Sequence, residues 1–129
     1  MKVGDKKWLT ACFEDYIVRA YCIKSQDPNK IHTDKHSANK AGYDFRIVPG
    51  LLTASLFGGL LGKLGSGTIH LGQTLKFIKP IFVSERVIAE IELIKIRQDK
   101  PILTFKCTCF NSNNEIAIEG EAVVKVNAI

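Results

Sequence analysis

Residues 48–65, VPGLLTASLFGGLLGKLG, admit few folds. Apolar residues occupy every side of a helix drawn through this stretch, so the helix has no polar face to turn to water and must be wrapped by other elements. A membrane is excluded as the wrapping, because spanning one takes about 20 apolar residues and this run has only about 14, interrupted by Pro49 and four glycines before Lys63. Pro49 suits the first helical position, where a missing N–H is no loss. Gly58, Gly59 and Gly62 predict that a sheet lies close against the helix.

The wrapping elements follow in the chain. From Thr68 onward the apolar period changes to two, the signature of strands with one buried face. In TIHLGQTLKF the odd positions Ile69, Leu71, Leu75 and Phe77 share a face, leaving His70 on the polar side and Gln73 among the inward residues. In VIAEIELI the apolar set is Val87, Ala89, Ile91 and Leu93, after which Ile94 and Ile96 fall on the opposite parity, so a bulge is expected near Leu93. ILTFKCTCF and EIAIEGEAVVKV complete four long antiparallel strands, the last alternating Ile116, Ile118, Ala122 and Val124 against charges, with QDKP and NSNN as turns. Upstream, KKWLTACF reads as a short first strand and EDYIVRAYCIKS as an amphipathic helix with Ile17, Ala20, Tyr21 and Lys24 along one face and acids in its first turn. A helix apolar all round and a run of antiparallel strands predict an α+β domain in which the sheet curls about the helix, a hotdog architecture.

At 129 residues the chain suits one such domain, spanning 1–129. The net charge of +5 comes from lysines scattered from Lys2 to Lys125 without interleaved aromatics, which favours a small anionic ligand over nucleic acid. Cys12, Cys22, Cys107 and Cys109 lack metal-ligand spacing, so no metal site is expected. Cys107 and Cys109, two apart on one strand, read as small buried residues in a reducing compartment. MKVGDKKWLT lacks the apolar core of a secretory signal, which points to a cytoplasmic protein beginning at Met1.

Chemistry concentrates in the polar loop SQDPNKIHTD, residues 25–34, where Asp27, Asn29 and His32 fall within six positions. Three stretches occur in order: D-x-N-x-x-H-x-D from Asp27 to Asp34, the helix start IVPGLLTASLFGGLLG, and the strand LGQTLKFIKPIFV. With the ending DKPI…GEAVVKV they resemble the MaoC-like, (R)-specific enoyl-CoA hydratases over nearly the whole chain. The resemblance implies that Asp27 and His32 are the catalytic pair and that the Gly50 backbone N–H is the oxyanion donor. Three departures accompany it: Pro49 stands where the family usually has a histidine, Lys30 where a proline often follows the asparagine, and Gly58 where some relatives have a serine near the catalytic pair.

These groups match the chemistry. Hydrating a trans-2-enoyl thioester needs a base for the water that attacks C3, an acid for C2, and a donor for the charge on the thioester oxygen. Asp27 and His32 can hold one water and deliver oxygen and proton to the same alkene face. Gly50 opens a helix, where N–H groups are unpaired and the dipole end is positive. Asn29 is expected to shape the loop and the substrate site, and Lys76, Lys79 and Arg86 to meet the phosphates of coenzyme A. Gln73 is expected to make a structural hydrogen bond, within the chain or across a subunit interface.

The implied reaction interconverts trans-2-enoyl-CoA and (3R)-3-hydroxyacyl-CoA, with no cofactor beyond the coenzyme A of the substrate, linking β-oxidation to polyhydroxyalkanoate synthesis. Two alternatives stay open: a (3R)-hydroxyacyl-ACP dehydratase of fatty acid synthesis, and a non-catalytic acyl-CoA-binding hotdog. A lone hotdog leaves a long sheet edge exposed, so the family resemblance implies a homodimer or higher homo-oligomer.

Overall fold

The computed structural model of the chain describes residues 1–127; the last two residues of the expected 1–129 domain lie outside it. Elements run β1 (Lys6–Cys12), α1 (Asp15–Ser25), a 3-10 turn (Lys30–His32), α2 (Lys35–Lys40), α3 (Gly50–Gly62), β2 (Ile69–Gln73), β3 (Lys76–Phe77), β4 (Arg86–Ile96), β5 (Ile102–Phe110) and β6 (Ile116–Lys125). The six strands form one antiparallel sheet in the order β1-β4-β5-β6-β2, with β3 also paired to β6. The helix α3 packs against β4 and β1. Phe57, Leu60 and Leu61 of α3 meet Val87, Ala89, Ile91, Leu93, Phe105, Cys107 and Cys109 in one core. Each fully buried side chain of the Leu, Ile or Phe class contributes about 1.5–3 kcal/mol there. The expected α+β hotdog is what forms, and burial in this core raises the Cys107 and Cys109 thiols to about 11 and about 12. Among the described residues no helix is long and apolar enough to cross a membrane.

The expected bulge is present as a register shift between Leu93 and Lys95. Several details differ from the sequence reading. The chain has six strands because TIHLGQTLKF is broken into β2 and β3: a Cβ at Gly120 would collide with the Thr74 carbonyl oxygen, so the glycine lets that segment cross close over β6. There, the Thr74 N–H donates to Glu121 O (2.8 Å) and Thr74 Oγ1 accepts from the Glu121 N–H (3.0 Å). A second bulge, between His70 and Gly72, sets His70 opposite Val124 and Gln73 opposite Ala122; Gln73 is half-buried and His70 exposed, while Ile69 and Leu71 are 53% and 52% exposed. The expected Gln73 hydrogen bonds form within the chain, to His70 Nε2 (2.9 Å) and Thr74 O (2.8 Å). A third shift, between Cys109 and Phe110, buries Ala117 and leaves Ile116 partly exposed.

The two long helices also sit differently from expectation. The buried stripe of α1 is Val18 and Cys22, flanked by Ile17 and Tyr21, while Ala20 and Lys24 are exposed. Pro49 is the N-cap of α3 and Gly50 its first residue. This helix is not wrapped on all sides within one chain: Leu51 is 62% exposed, and Ser55, Gly58, Gly59 and Gly62 are exposed with it. A Cβ at Gly58, Gly59 or Gly62 would meet nothing within 4 Å, so these glycines do not admit a sheet here.

Candidate active site

The site begins where α1 ends. Gln26 adopts the left-handed conformation (φ 59°), its N–H bonding back to the last turn, and this reverses the chain. The Asp27 N–H then donates to Cys22 O at 2.9 Å, fixing the aspartate at the helix exit. The next residues build their own scaffold. Asp27 Oδ1 accepts from the Asn29 N–H (2.9 Å), and Asn29 Oδ1 caps the 3-10 turn by accepting from the Ile31 N–H (3.2 Å). Asp34 then caps α2 through Ser37, whose N–H and hydroxyl hold its carboxyl below the usual carboxylate range.

His32, at the end of the 3-10 turn, is buried, and two bonds lash it to the strand-like segment before α3. The Ile47 N–H donates to Ile31 O (3.1 Å), and His32 Nδ1 lies 2.7 Å from Ile47 O. A carbonyl only accepts, so Nδ1 carries a proton, which in the neutral tautomer leaves the lone pair on Nε2. That lone pair faces Asp27 Oδ2 at 3.6 Å, with the aspartate side chain one-third exposed. The separation exceeds a direct hydrogen bond and suits a water bound to both groups. Behind them, Arg46 and Arg19 grip Asp15 (2.5 and 2.9 Å), and both guanidinium groups also donate to Thr33 O. These pairs hold the Asp15 carboxyl below its ordinary value and tie α1 to both ends of the loop.

Three residues past Ile47, α3 opens. Pro49 offers no side-chain cap, and the Gly50 N–H makes no hydrogen bond among the described residues. Gly50 lines a cavity of about 370 Å³ with Ile47, Val48, Leu51, Thr53, Phe77 and Ile118 among its walls. The Phe77 ring covers Gly50 so closely that a Cβ there would fall 2.5 Å from Phe77 Cε1. Asp27 lines a separate open groove with Arg19, Ile23, Pro28 and Lys30. His32 stands between the two depressions, bonded to the Ile47 carbonyl on one side and facing Asp27 on the other.

Asp27, Asn29 and His32 are therefore brought together, with Gly50 at the helix start that follows. The cations divide. Lys79 lines the Gly50 cavity, its ammonium paired with Glu115 at 2.5 Å. Lys76 lines a different depression with Ile94, Lys106, Glu119 and Glu121, and Arg86 opens β4 opposite Cys12 on the face away from buried Val87. The structure does not bring those two to the cavity. Phe77 and Thr53 were missed by sequence reasoning; Phe77 was assigned only to a strand face, and nothing in the local pattern signals that it covers Gly50.

A curled antiparallel sheet on an apolar helix, with an Asp–His loop before the helix and a glycine opening it, defines a hotdog domain of the hydratase and dehydratase class. Residues 1–107 match the MaoC like domain, and the chain belongs to that family. Among curated proteins it is 42% identical over 128 residues to an (R)-specific enoyl-CoA hydratase of Aeromonas caviae, covering 98% of this chain and 96% of the relative. It is 34% identical to a mitochondrial 3-hydroxyacyl-[acyl-carrier-protein] dehydratase of Arabidopsis thaliana, covering 95% of this chain and 75% of that protein. The solved structure of an (R)-hydratase from A. caviae involved in PHA biosynthesis superposes with a TM-score of 0.94 at 42% identity, covering 98% of this chain and 97% of that one.

Proposed function

We propose that this protein is an (R)-specific enoyl-CoA hydratase, a hydro-lyase that adds water to trans-2-enoyl-CoA to give (3R)-3-hydroxyacyl-CoA, and the reverse. The observation that carries the reading is the facing of His32 Nε2 and Asp27 Oδ2 across 3.6 Å, in a chain so similar to an (R)-specific enoyl-CoA hydratase from end to end.

The chemistry follows from the geometry. A water donating to both Nε2 and Oδ2 keeps an oxygen lone pair free to attack C3. The proton that this oxygen loses passes to the pair, and a proton from the pair reaches C2, so Asp27 and His32 return to their starting charge. Negative charge moves to the thioester oxygen, for which the Gly50 N–H is the donor. Asn29 acts by fixing Asp27 and the 3-10 turn. Lys79, at the cavity wall, is the cation best placed for a phosphate of coenzyme A, and no further cofactor is invoked. The exposed edge strand β2, with Ile69 and Leu71 uncovered, supports a homodimer or larger homo-oligomer. A cytoplasmic role drawing β-oxidation intermediates into (R)-hydroxyacyl pools fits this activity.

The same groups would serve a 3-hydroxyacyl-ACP dehydratase, and the Arabidopsis relative favours keeping that reading second. Hydration of crotonyl-CoA, followed by loss of the enoyl absorbance and chiral analysis of the product, tests the proposal. The (3R) alcohol is expected. Predominantly (3S) product, or no hydration at concentrations that visibly bind, contradicts it, and a higher kcat/KM on crotonyl-ACP moves the protein to the dehydratase reading.

A further inference from the structure

Among the described residues one buried side-chain polar atom lacks a hydrogen-bond partner, the hydroxyl of Thr53, in a residue only 1% exposed. His32 and Asn111, buried to a similar degree, are both bonded. Native interiors rarely leave such groups unpaired, because the group has lost water and gained nothing. A helical threonine ordinarily bonds back to a carbonyl one turn earlier. Ser55, two residues on, does this with Leu52 O at 2.5 Å. At Thr53 only the backbone N–H reaches back, to Pro49 O at 3.2 Å.

The position of this hydroxyl is informative. Thr53 lies one turn after Gly50 on α3, and helical side chains lean toward the helix N-terminus, so its side chain leans toward the Gly50 end. Both residues line the same cavity, whose walls Val48, Phe77, Ile81 and Ile118 are apolar. Tyr43 and Lys79 complete the lining, and two donors of one helical turn without a partner among the described residues are suited to orient a single oxygen. A thioester oxygen gathering negative charge has two lone pairs, and the Gly50 amide serves one.

We infer that Thr53 is a further catalytic residue, its hydroxyl donating to the substrate's thioester oxygen beside the Gly50 N–H. This rests on the enoyl-thioester reading above. The bond strengthens as charge builds on the oxygen, so it acts on turnover more than on binding. In the free protein the same hydroxyl is a small liability, since its polar atom is buried without a partner.

That pairing of signs gives the test. Thr53→Val keeps the shape and removes the hydroxyl; Thr53→Ser keeps the hydroxyl and removes the methyl group. With crotonyl-CoA, Thr53→Val is expected to lower kcat at least roughly tenfold with little change in KM. Its Tm should be unchanged or higher by roughly 2–4 °C, as an unpaired buried group is lost. Thr53→Ser should retain most of the turnover at a lower Tm. Thr53→Ala, which also lacks the hydroxyl, should be as slow as Thr53→Val. A Thr53→Val enzyme with undiminished kcat, or one in which kcat and Tm fall together while Thr53→Ser is equally slow, overturns the inference and makes Thr53 a packing residue. An active wild type with undiminished Thr53→Val removes this inference alone, whereas an inactive wild type removes it together with the hydratase reading.

Discussion

The loop from Gln26 to Asp34 and the first turn of α3 treat their polar groups in opposite ways. In the loop, side chains are used up locally: Asp27 accepts from Asn29, Asn29 from Ile31, Asp34 from Ser37, and His32 spends Nδ1 on Ile47 O. What is left over is one edge of each side chain of the proposed pair, Oδ2 of Asp27 and Nε2 of His32, aimed at one another. At the start of α3 two donors are left over. Pro49 contributes no side-chain cap, and among the described residues the Gly50 N–H is unbonded and the Thr53 hydroxyl is buried without a partner. The difference matches two jobs. An acid–base pair must be oriented before substrate arrives, and rigid local bonds do that; donors for a charge that exists only during reaction must remain free until then.

Removing the Gly50 N–H should produce the larger effect of the two perturbations that separate these regions. A first-turn N–H has no intrahelical acceptor, and proline is tolerated there, so Gly50→Pro is compatible with α3. Any Cβ at position 50 meets the Phe77 ring, so crowding must be separated from loss of the amide. Gly50→Pro should therefore be compared with Gly50→Ala in a common Phe77→Ala background. There the proline variant is expected to lose roughly 10²- to 10³-fold in kcat relative to the alanine variant, as for loss of one oxyanion donor. Equal rates would mean that the glycine only makes room for Phe77.

A smaller effect is expected at Asp15, which braces the loop from behind. Its carboxyl is held below the ordinary value by Arg46 first and Arg19 second, so the folded state binds its proton less readily than the unfolded chain. Stability from these pairs is present above the unfolded pKa, about 4, and is lost as pH falls through the folded value. Asp15→Asn should lower Tm by roughly 1–3 °C at neutral pH, an exposed ion pair being worth little, and the gap to wild type should close in strongly acidic buffer. A gap independent of pH would show that the carboxylate charge is not what braces the loop.

Much of this was legible in the sequence, and the rest was hidden for identifiable reasons. The Leu93 bulge announces itself because apolar parity flips between Leu93 and Ile94 within one strand. The β2 bulge does not, since Gly72 has no side chain to reveal the shift; His70 is exposed as its polar parity implies, but Ile69 and Leu71 are exposed too. The apolar all-round pattern of α3 predicts a helix wrapped on every side, whereas the sheet covers only part of it and the Leu51–Ser55–Gly58–Gly62 side is uncovered in this chain, because periodicity reports apolarity and not how far a sheet curls. Asp27 and Asn29 are legible as a loop pattern because their bonds are local, and His32 by its spacing from them, since its own bond reaches Ile47. Lys76, Lys79 and Arg86 were not separable, because the direction of a surface cation depends on the twist and pairing of distant strands.

The central claim is that Asp27 and His32 work as one unit on one water. The most direct measurement is kcat on crotonyl-CoA for Asp27→Asn, His32→Ala and the double variant, with circular dichroism on the same samples. Each single change should remove most of the turnover, by roughly 10²- to 10⁴-fold, while the fold persists. Groups acting as a unit are non-additive, so the double variant should be about as slow as the slower single one. Losses that multiply, or a single variant that keeps near-normal turnover, would contradict the shared water and reduce at least one of the two residues to a former of the loop.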